Sequence, residues 1–165
     1  MGGAPNVAYV AANVGGQSFI DTEPQPVDMM RMRLYRLARV QEEIRMRDMG
    51  GLLLFDSINI RYASGTLHEP VFNFHTPSRS LFVPPEGKCV LFDQRALEKP
   101  AKELGTIGEV HDYPKSAYFY AGPRVAEKAK QLAAQVVSLL GGFSGDNKRL
   151  GVDRIEPNVA TMLQQ

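Results

Sequence analysis

Hydrophobic and polar positions follow a helical spacing early in the chain. From residue 28 to residue 49, apolar residues fall within an arc of ~120° when each residue advances a helix by about 100°. Asp28 is a suitable N-cap and Gly50 a suitable C-terminal stop. We therefore expect a long helix whose apolar arc faces a sheet. The residues of that arc are Met30, Leu34, Leu37, Ala38 and Ile44.

Short apolar runs after this helix are typical of buried strands. The first run, residues 52–55, ends at Asp56, and a strand buried on both faces is expected there. Residues 81–84 and 88–92 flank a Pro-Glu-Gly turn, which predicts a hairpin. The alternation predicts a single three-layer α/β domain with a mixed sheet. The later elements expected are helix 96–104, strand 109–113, loop 114–123, a helix from Pro123 to Leu140 ending at Gly141-Gly142, strand 149–153 and helix 157–165.

The first 27 residues are rich in Gly, Pro and Asn and show little periodicity. A flexible tail is one interpretation. An arm that packs on a partner domain or subunit is the other, because the segment is more apolar than a solvated tail usually is. The sequence thus divides into residues 1–27, an arm or tail, and residues 28–165, a folded domain. The apolar residues of the arm are Val7, Tyr9, Val10, Val14, Phe19 and Ile20.

Composition excludes several classes of protein. A net charge of +1 gives no overall field for nucleic acid or an anionic membrane. A single cysteine, Cys89, lies in a predicted strand and indicates a buried, inert thiol in a reducing compartment. No apolar stretch approaches the ~20 residues of a membrane span, and the first 27 residues lack the Lys or Arg of a secretory signal. We expect a cytoplasmic protein with no membrane partner.

The long helix carries six arginines, which raises the question of nucleic acid. They spread around most of its circumference, so a solvated or interfacial face is favoured over a phosphate-binding stripe. Glu42 and Glu43 intervene, and Arg39 with Glu43 has the i,i+4 spacing of an ion pair. The arginines are Arg31, Arg33, Arg36, Arg39, Arg45 and Arg47.

Candidate binding chemistry is concentrated in residues 59–65 and the aromatic, histidine-containing run 68–75 that follows. Two prolines, Pro70 and Pro77, prevent a regular helix there. Such a loop favours a binding pocket or a partner surface. The alternative is a loop whose aromatics cover the core. If residues 59–65 are extended, Arg61 and Tyr62 point to opposite faces, so at most one faces a site. Asn59 is expected to stabilise a turn, Asp56 and Asp93 to act as caps, and Arg79 to pair within the domain.

No self-contained catalytic or metal site is readable from the sequence. The histidines are His68, His75 and His111, and no His-Glu-x-x-His helix, Cys-x-x-Cys pair or carboxylate cluster accompanies them. The glycine-rich run 141–146 lacks the ending of a phosphate loop and is expected to be a turn. No serine lies in a Gly-x-Ser-x-Gly elbow.

The segment Asp-Ser-Ile-Asn-Ile-Arg-Tyr-Ala-Ser-Gly, residues 56–65, resembles the Asp-Pro-x-Asn-Ile-Arg-Tyr-x-x-Gly segment of the creatinase/prolidase/aminopeptidase P superfamily. Ser57 stands where many members carry proline. The resemblance extends over residues 28–165, and it implies a ribonuclease-H-like N-terminal domain. The pattern of Asn73, His75, Pro77 and Arg79 is most similar to the branch of dimethylsulfoniopropionate lyases and ectoine hydrolases.

The resemblance implies a partner domain beyond this chain. Family members carry a C-terminal pita-bread domain in which two Asp, one His and two Glu bind two divalent metals, such as Mn, Zn, Fe or Co. This chain is expected to be the N-terminal domain alone, with no catalytic or metal-binding residue of its own. In the family this domain supports a homodimer and lends residues to the mouth of the active site. Carried over, the candidate contacts are Arg61, Tyr62, His68, Phe72, Phe74 and His75.

The sequence is compatible with four alternative functions. The first is the non-catalytic N-terminal domain of a dinuclear-metal Xaa-Pro dipeptidase or aminopeptidase. The second is the same domain of a dimethylsulfoniopropionate lyase or another enzyme of small zwitterions. The third is a free-standing interaction module, and the fourth, least supported, is a nucleic-acid binder.

Overall fold

A computed structural model describes residues 26–67 and 76–164 of the chain. The strands are β1 (Gly51–Leu54), β2 (Ser80–Val83), β3 (Cys89–Asp93), β4 (Ile107–Asp112) and β5 (Leu150–Val152). The helices are α1 (Met29–Met46), α2 (Ser57–Ser64), α3 (Glu98–Lys102), α4 (Tyr118–Ala121), α5 (Val125–Ser144) and α6 (Pro157–Leu163). Short 3-10 turns, Arg95–Leu97 and Gly122–Arg124, precede α3 and α5.

The strands form one mixed sheet in the order β4-β3-β2-β1-β5. Strand β2 is antiparallel to its neighbours β1 and β3, whereas β1 pairs parallel with β5 and β3 pairs parallel with β4. Four strands therefore point the same way, and their carboxyl ends share one edge of the sheet with the start of β2. We call this the carboxyl edge. The predicted hairpin and mixed sheet are confirmed.

Helices cover both faces of the sheet, which confirms the three-layer α/β architecture. One buried cluster joins α1, α2 and α3 to the sheet, and a second joins α5 and α6 to the opposite face. Successive side chains of β2 alternate between the two clusters. Leu81 and Val83 lie in the first cluster and Phe82 lies in the second. All three are fully buried, and each such side chain contributes roughly 1.5–3 kcal/mol of transfer free energy.

The buried arc of α1 is rotated relative to the prediction. Leu37 and Ile44 are buried as expected, but Gln41 joins them, and Met30, Leu34 and Ala38 are exposed. The cause is α2, because Arg33 and Arg36 of α1 contact Gly65 and Tyr62 at α2. Contacts on that side turn the helix toward α2 and leave Leu34 and Ala38 in solvent. The amide of Gln41 donates to the carbonyl oxygens of Pro84 and Gly87 in the hairpin turn, which accounts for a polar residue in the buried arc.

The ion pair predicted on α1 is also different. Glu43 pairs with Arg47, one turn later, whereas the guanidinium of Arg39 lies 5.9 Å from the ring centroid of Tyr35. Both arrangements are on exposed parts of the helix, where an i,i+4 ion pair such as Glu43–Arg47 contributes about 0.3–0.5 kcal/mol. Arg39 and Arg47 therefore lie on a solvated face with local partners, whereas Arg33 and Arg36 are half-buried against α2.

Two predicted helix ends are wrong. Helix α1 ends at Met46, four residues before Gly50, and Asp48 takes the left-handed conformation with φ 51. Helix α5 continues through Gly141 and Gly142 to Ser144, so the run 141–146 is only partly a turn. Phe143, which is 43% exposed, packs on Phe82 with ring centroids 5.9 Å apart, and this contact beyond the glycines outweighs their low helix propensity.

Candidate functional site

The segment that follows β1 is a helix, so it is neither extended nor irregular. The Asp56 carboxylate caps α2 by accepting hydrogen bonds from the backbone N–H groups of Ile58 and Asn59 at 2.9 and 3.3 Å. Gly65 ends the helix with φ 79, and its N–H donates to the carbonyl of Arg61. The cap predicted for Asp56 is therefore confirmed.

Helix α2 buries one side and presents the other to solvent. Ile60 and Ala63 face the core, while Arg61 and Tyr62 are both exposed. Adjacent residues of a helix are separated by about 100° rather than 180°, so both side chains can face one partner. Only one of them was expected to face a site if the segment were extended. That condition is not met, because the segment is a helix.

An apolar surface lies on the exposed side of α2 and the residues after it. Ile58 and Tyr62 stand one turn apart on the same face and are 64% and 37% exposed, and Leu67 is 72% exposed. We call these three residues the α2 patch. The guanidinium carbon of Arg36 lies 5.4 Å from the centroid of the Tyr62 ring, a cation–π distance that holds the ring against α1.

A hydroxyl network fixes the end of α2. The Ser64 hydroxyl lies 2.9 Å from that of Thr66 and 2.6 Å from the carbonyl oxygen of Ile60, and Thr106 donates to the Ser64 carbonyl at 2.5 Å. All three of these Ser and Thr residues are buried. Burial with satisfied hydrogen bonds makes this end of α2 rigid.

A buried ion pair lies at the carboxyl edge. Arg79, just before β2, places Nη2 2.8 Å from Oδ2 of Asp93 at the end of β3, and Nη1 donates to the carbonyl of Leu67 at 3.3 Å. The Arg79 contacts join the residues on either side of segment 68–75. Burial lowers the pKa of Arg79, and the charge and hydrogen bond of Asp93 oppose that change. The pairing predicted for Arg79 within the domain is confirmed. Asp93 was predicted to be a cap, and its carboxylate does accept a hydrogen bond from the N–H of Gln94 at 2.8 Å, but its main partner is Arg79.

Asp153, which the sequence analysis did not single out, connects β5 to the start of α2. Its carboxylate accepts hydrogen bonds from the N–H groups of Phe55 and Asp56 at 2.9 and 3.0 Å, and from Nδ2 of Asn59 at 3.1 Å. The role predicted for Asn59 is therefore corrected, since its side chain bonds a carboxylate and not the backbone. The only signal in the sequence was that Asp153 is the final residue of the last predicted strand.

Of the six predicted contact residues, the structure describes Arg61 and Tyr62. His68, Phe72, Phe74 and His75 lie outside the described residues. Across residues 26–67 and 76–164, no group of three or more His, Cys, Asp or Glu side chains comes together to hold a metal ion. The described part of the chain therefore does not fit a resident metal.

Cys89 is not a nucleophile. It lies in β3 with no exposed surface, and burial raises the pKa of its thiol from 9.0 to about 12. The reactive thiolate is thus absent near neutral pH. The inert thiol predicted from the sequence is confirmed.

The family model described as the Creatinase/Prolidase N-terminal domain matches residues 36–165. The chain belongs to this family. The match covers α2, the carboxyl edge and both sheet faces, and it confirms the resemblance carried by residues 56–65.

Among the relatives of this creatinase/prolidase N-terminal domain is a protein of Roseovarius nubinhibens named "Dimethylsulfoniopropionate lyase DddP". The two are 33% identical over 128 residues, which is 78% of this chain but only 29% of the relative. The chain therefore spans less than a third of the length of that curated relative.

Solved structures share the fold at low identity. The N-terminal domain of an Xaa-Pro dipeptidase from Lactobacillus brevis superposes with a TM-score of 0.51 at 15% identity, covering 76% of this chain and 86% of that one. An Xaa-Pro dipeptidase from Bacillus anthracis also gives 0.51 at 13% identity, covering 80% of this chain and 30% of that one. These likenesses confirm the creatinase-type α/β fold.

In the part of the chain that the structure describes, every helix is too short or too polar to cross a bilayer.

Proposed function

We propose that residues 28–165 are the non-catalytic N-terminal domain of a larger metal-dependent enzyme. The domain supplies subunit contacts and part of the substrate-pocket wall, and catalysis belongs to a C-terminal pita-bread domain with two divalent metals, Mn, Zn, Fe or Co. The observation that carries this proposal is the α2 patch. Exposed apolar side chains on a rigid helix, next to an aromatic and histidine-containing segment, are suited to burial against another domain or subunit.

The enzyme proposed is one acting on a small zwitterion, of the dimethylsulfoniopropionate lyase type. The 33% identity to a protein with that name supports it over the dipeptidase class, whose likeness to this chain is one of fold. An Xaa-Pro dipeptidase or aminopeptidase is the second candidate, because dipeptidases recur among the solved structures that share the fold. The third candidate is a free-standing interaction module, which applies if no catalytic domain accompanies the chain. We place all three in the cytoplasm.

The contact residues have distinct roles in this proposal. Tyr62, Phe72 and Phe74 form an apolar wall that excludes water from the pocket. Arg61, His68 and His75 orient the carboxylate of a substrate, for which the planar guanidinium of an arginine offers two parallel hydrogen bonds. The N-terminal arm, residues 1–27, packs on the neighbouring domain or subunit.

The first experiment is the intact mass of the native gene product, followed by assays of that product with divalent metal on dimethylsulfoniopropionate and on Xaa-Pro dipeptides. A product far larger than 18.3 kDa that cleaves either substrate supports the proposal and chooses between the two enzymes. A product of 18.3 kDa with no associated activity would contradict both enzyme candidates and favour the interaction module.

A matched pair of histidine variants tests the pocket wall in the full-length enzyme. His75→Ala should lower kcat/KM by at least about tenfold while metal content and unfolding temperature stay unchanged. His111→Ala is the control, because His111 lies in β4 beside Glu109, away from α2, and should leave the kinetics unchanged. Equal kinetics for both variants and the parent would remove His75 from the pocket.

The α2 patch is tested by oligomeric state. Ile58→Asp together with Tyr62→Ala should shift the full-length protein toward monomer in analytical ultracentrifugation, because a charge enters the buried contact. Val137→Asp on α5, also an exposed apolar residue, is the control on the opposite face of the sheet. A dimer unaffected by the α2 variant would contradict the subunit contact.

A further inference from the structure

An apolar groove lies beside the outer strand β5, between α5 and α6. Its volume is about 600 Å³, and most of its lining side chains are aliphatic, among them Leu140, Leu150 and Leu163. Val137 of α5 and Val152 of β5 also line it and are exposed to solvent. The groove is on the α5 face of the sheet, so it is separate from the α2 patch on the opposite face.

Strand β5 has unpaired backbone groups along its outer side. In a strand, the N–H and C=O of one residue point to the same side, and those of the next residue point to the other side. The carbonyl of Arg149 accepts a hydrogen bond from the N–H of Gly50, so Leu150 and Val152 point away from β1. Among the described residues, the backbone groups of Leu150 and Val152 have no hydrogen-bond partner. Because β5 is the last strand of the sheet order, this side is open to a further strand.

The groove and the open strand edge together favour an extended peptide as the occupant. A peptide strand offers alternating N–H and C=O groups to Leu150 and Val152, and every second side chain would enter the groove. An apolar small molecule would fill the groove but leave these backbone groups unpaired. Lys148 is the one charged residue that lines the groove, and it is exposed, so an uncharged segment buries no charge there.

Residues 7–14 of the N-terminal arm have the composition that this edge requires. They form a run of Val, Ala and Tyr with one Asn, bounded by Pro5-Asn6 and Gly15-Gly16, and such a run is typical of a strand. Residues 1–20 contain no charged side chain. In an extended conformation, one face of the segment carries only apolar side chains. The residues of that face are Ala8, Val10, Ala12 and Val14.

The arm is long enough to reach the groove from the start of α1. Met30 of α1 packs against Gly105, next to the start of β4, and β4 and β5 are the two outer strands of the sheet. A strand added beyond β5 would lie five strand spacings from β4, about 24 Å, and the α1 layer is about 10 Å from the sheet. Residues 15–26 extend to about 40 Å, which covers both distances. Connection within one chain also gives the segment an effective concentration on the order of a millimolar.

We propose that residues 7–14 add to β5 of the same chain as a further edge strand and place their apolar face in the groove. The proposal rests on the packing role given to the arm above, and it names residues 28–165 of the same chain as the neighbouring domain. It requires neither the catalytic domain nor the α2 patch. Its failure would therefore leave the proposed enzyme and subunit contact untouched, and their failure would leave the arm in the groove.

The test is amide hydrogen exchange of the 165-residue chain, measured by NMR. Residues 7–14 should exchange at least about tenfold more slowly than an unfolded chain, and the N–H groups of Leu150 and Val152 should be protected with them. Exchange of residues 7–14 at the rates of an unfolded chain would overturn the proposal. Protection that is lost on dilution would place the arm on a second copy and overturn docking within one chain.

A matched pair of arm variants tests the segment. Val10→Asp brings a charge into the groove and should return residues 7–14, Leu150 and Val152 to fast exchange. Val27→Asp makes the same change at an exposed arm residue outside the segment and should leave their exchange slow. Equal effects of the two variants would mean that any added charge releases the arm, and would overturn the assignment to residues 7–14.

A second pair tests the groove. Val137→Asp places a carboxylate in its wall and should release residues 7–14, whereas Ile58→Asp on the opposite face of the sheet should leave them protected. The dispersed amide signals of β2 and β3 should be unchanged in both variants, which shows that the domain stays folded. Protection of residues 7–14 that survives Val137→Asp would place the arm elsewhere and overturn the site.

Discussion

Arg79 and Asp93 form an ion pair whose side chains are 3% and 2% exposed, with Nη2 and Oδ2 2.8 Å apart. The pair joins the start of β2 to the end of β3 at the carboxyl edge. Removing two charges from water costs several kcal/mol per ion, so the pair is a weak net stabiliser. Its consequence is positional, because Arg79 also holds the carbonyl of Leu67 and so fixes the residues beside segment 68–75.

Breaking the Arg79–Asp93 pair should be far more costly than its net contribution. Asp93→Asn leaves the Arg79 charge buried, and we expect a loss of about 3–5 kcal/mol in the free energy of unfolding, measured by urea denaturation. The double variant Arg79→Met with Asp93→Leu should recover most of that loss. Arg47→Gln, which removes an exposed pair with Glu43, is the control and should cost less than about 1 kcal/mol. Similar losses for Asp93→Asn and Arg47→Gln would contradict the buried charge.

The Asp153 carboxylate should be a second determinant of the carboxyl edge. Asp153→Ala removes the acceptor of three backbone N–H groups and of the Asn59 side chain, and we expect a loss of about 2 kcal/mol in urea unfolding. Asn59→Ala removes only one of these bonds and should cost less than half as much. Asp146→Ala, at an exposed turn, is the control and should fall within about 0.5 kcal/mol of the wild type. A small effect of Asp153→Ala would mean that water replaces the carboxylate.

The sheet was predictable because strand signals are local. Residues 52–55 and the Pro-Glu-Gly turn carry apolar runs and turn chemistry that need no knowledge of the rest of the chain. The capping role of Asp56 was predictable for the same reason. By contrast, the rotation of α1 depends on contacts with α2, residues about 30 positions away, and no periodicity within α1 contains that information.

The candidate site was only partly predictable. Residues 56–65 identified the family, but the helical state of Arg61 and Tyr62 came from the cap at Asp56 combined with the αL glycine at residue 65. The contact between Asp153 and Asn59 joins residues 94 positions apart. Such a pair is set by the parallel pairing of β1 with β5, a relationship that exists only in the assembled sheet.

Two glycines should respond oppositely to alanine. A Cβ atom at Gly50 would clash with the backbone oxygen of Asn147, so Gly50→Ala forces backbone movement and should cost about 1–3 kcal/mol. A Cβ atom at Gly142, inside α5, meets nothing within 4 Å, so Gly142→Ala should stabilise the domain by roughly 0.5–1 kcal/mol. Urea denaturation of both variants measures the two effects, and effects of the same sign would contradict this assignment.

The buried thiol of Cys89 should make stability fall at high pH. Burial raises the pKa of this thiol to about 12 in the folded protein, against an ordinary pKa of 9.0. Above pH 9 the unfolded chain loses the proton while the folded chain keeps it, so the unfolded state is favoured increasingly as pH rises toward 12. For this group alone the free energy of unfolding should be constant below pH 9 and then fall by about 1.4 kcal/mol per pH unit.

Comparison of variants isolates the Cys89 contribution, since Tyr113, whose pKa burial raises from 10.0 to about 12, adds a similar decline starting one pH unit higher. Between pH 8 and 10.5 the wild type should lose about 2 kcal/mol more than Cys89→Ala. Val137→Ala changes an exposed side chain that carries no ionisable group and should keep the wild-type slope. Because only the difference in slope between variants is compared, the cavity left by alanine, which lowers stability equally at every pH, does not affect the result. Parallel curves for the wild type and Cys89→Ala would mean that the thiol ionises within the folded domain as easily as in the unfolded chain.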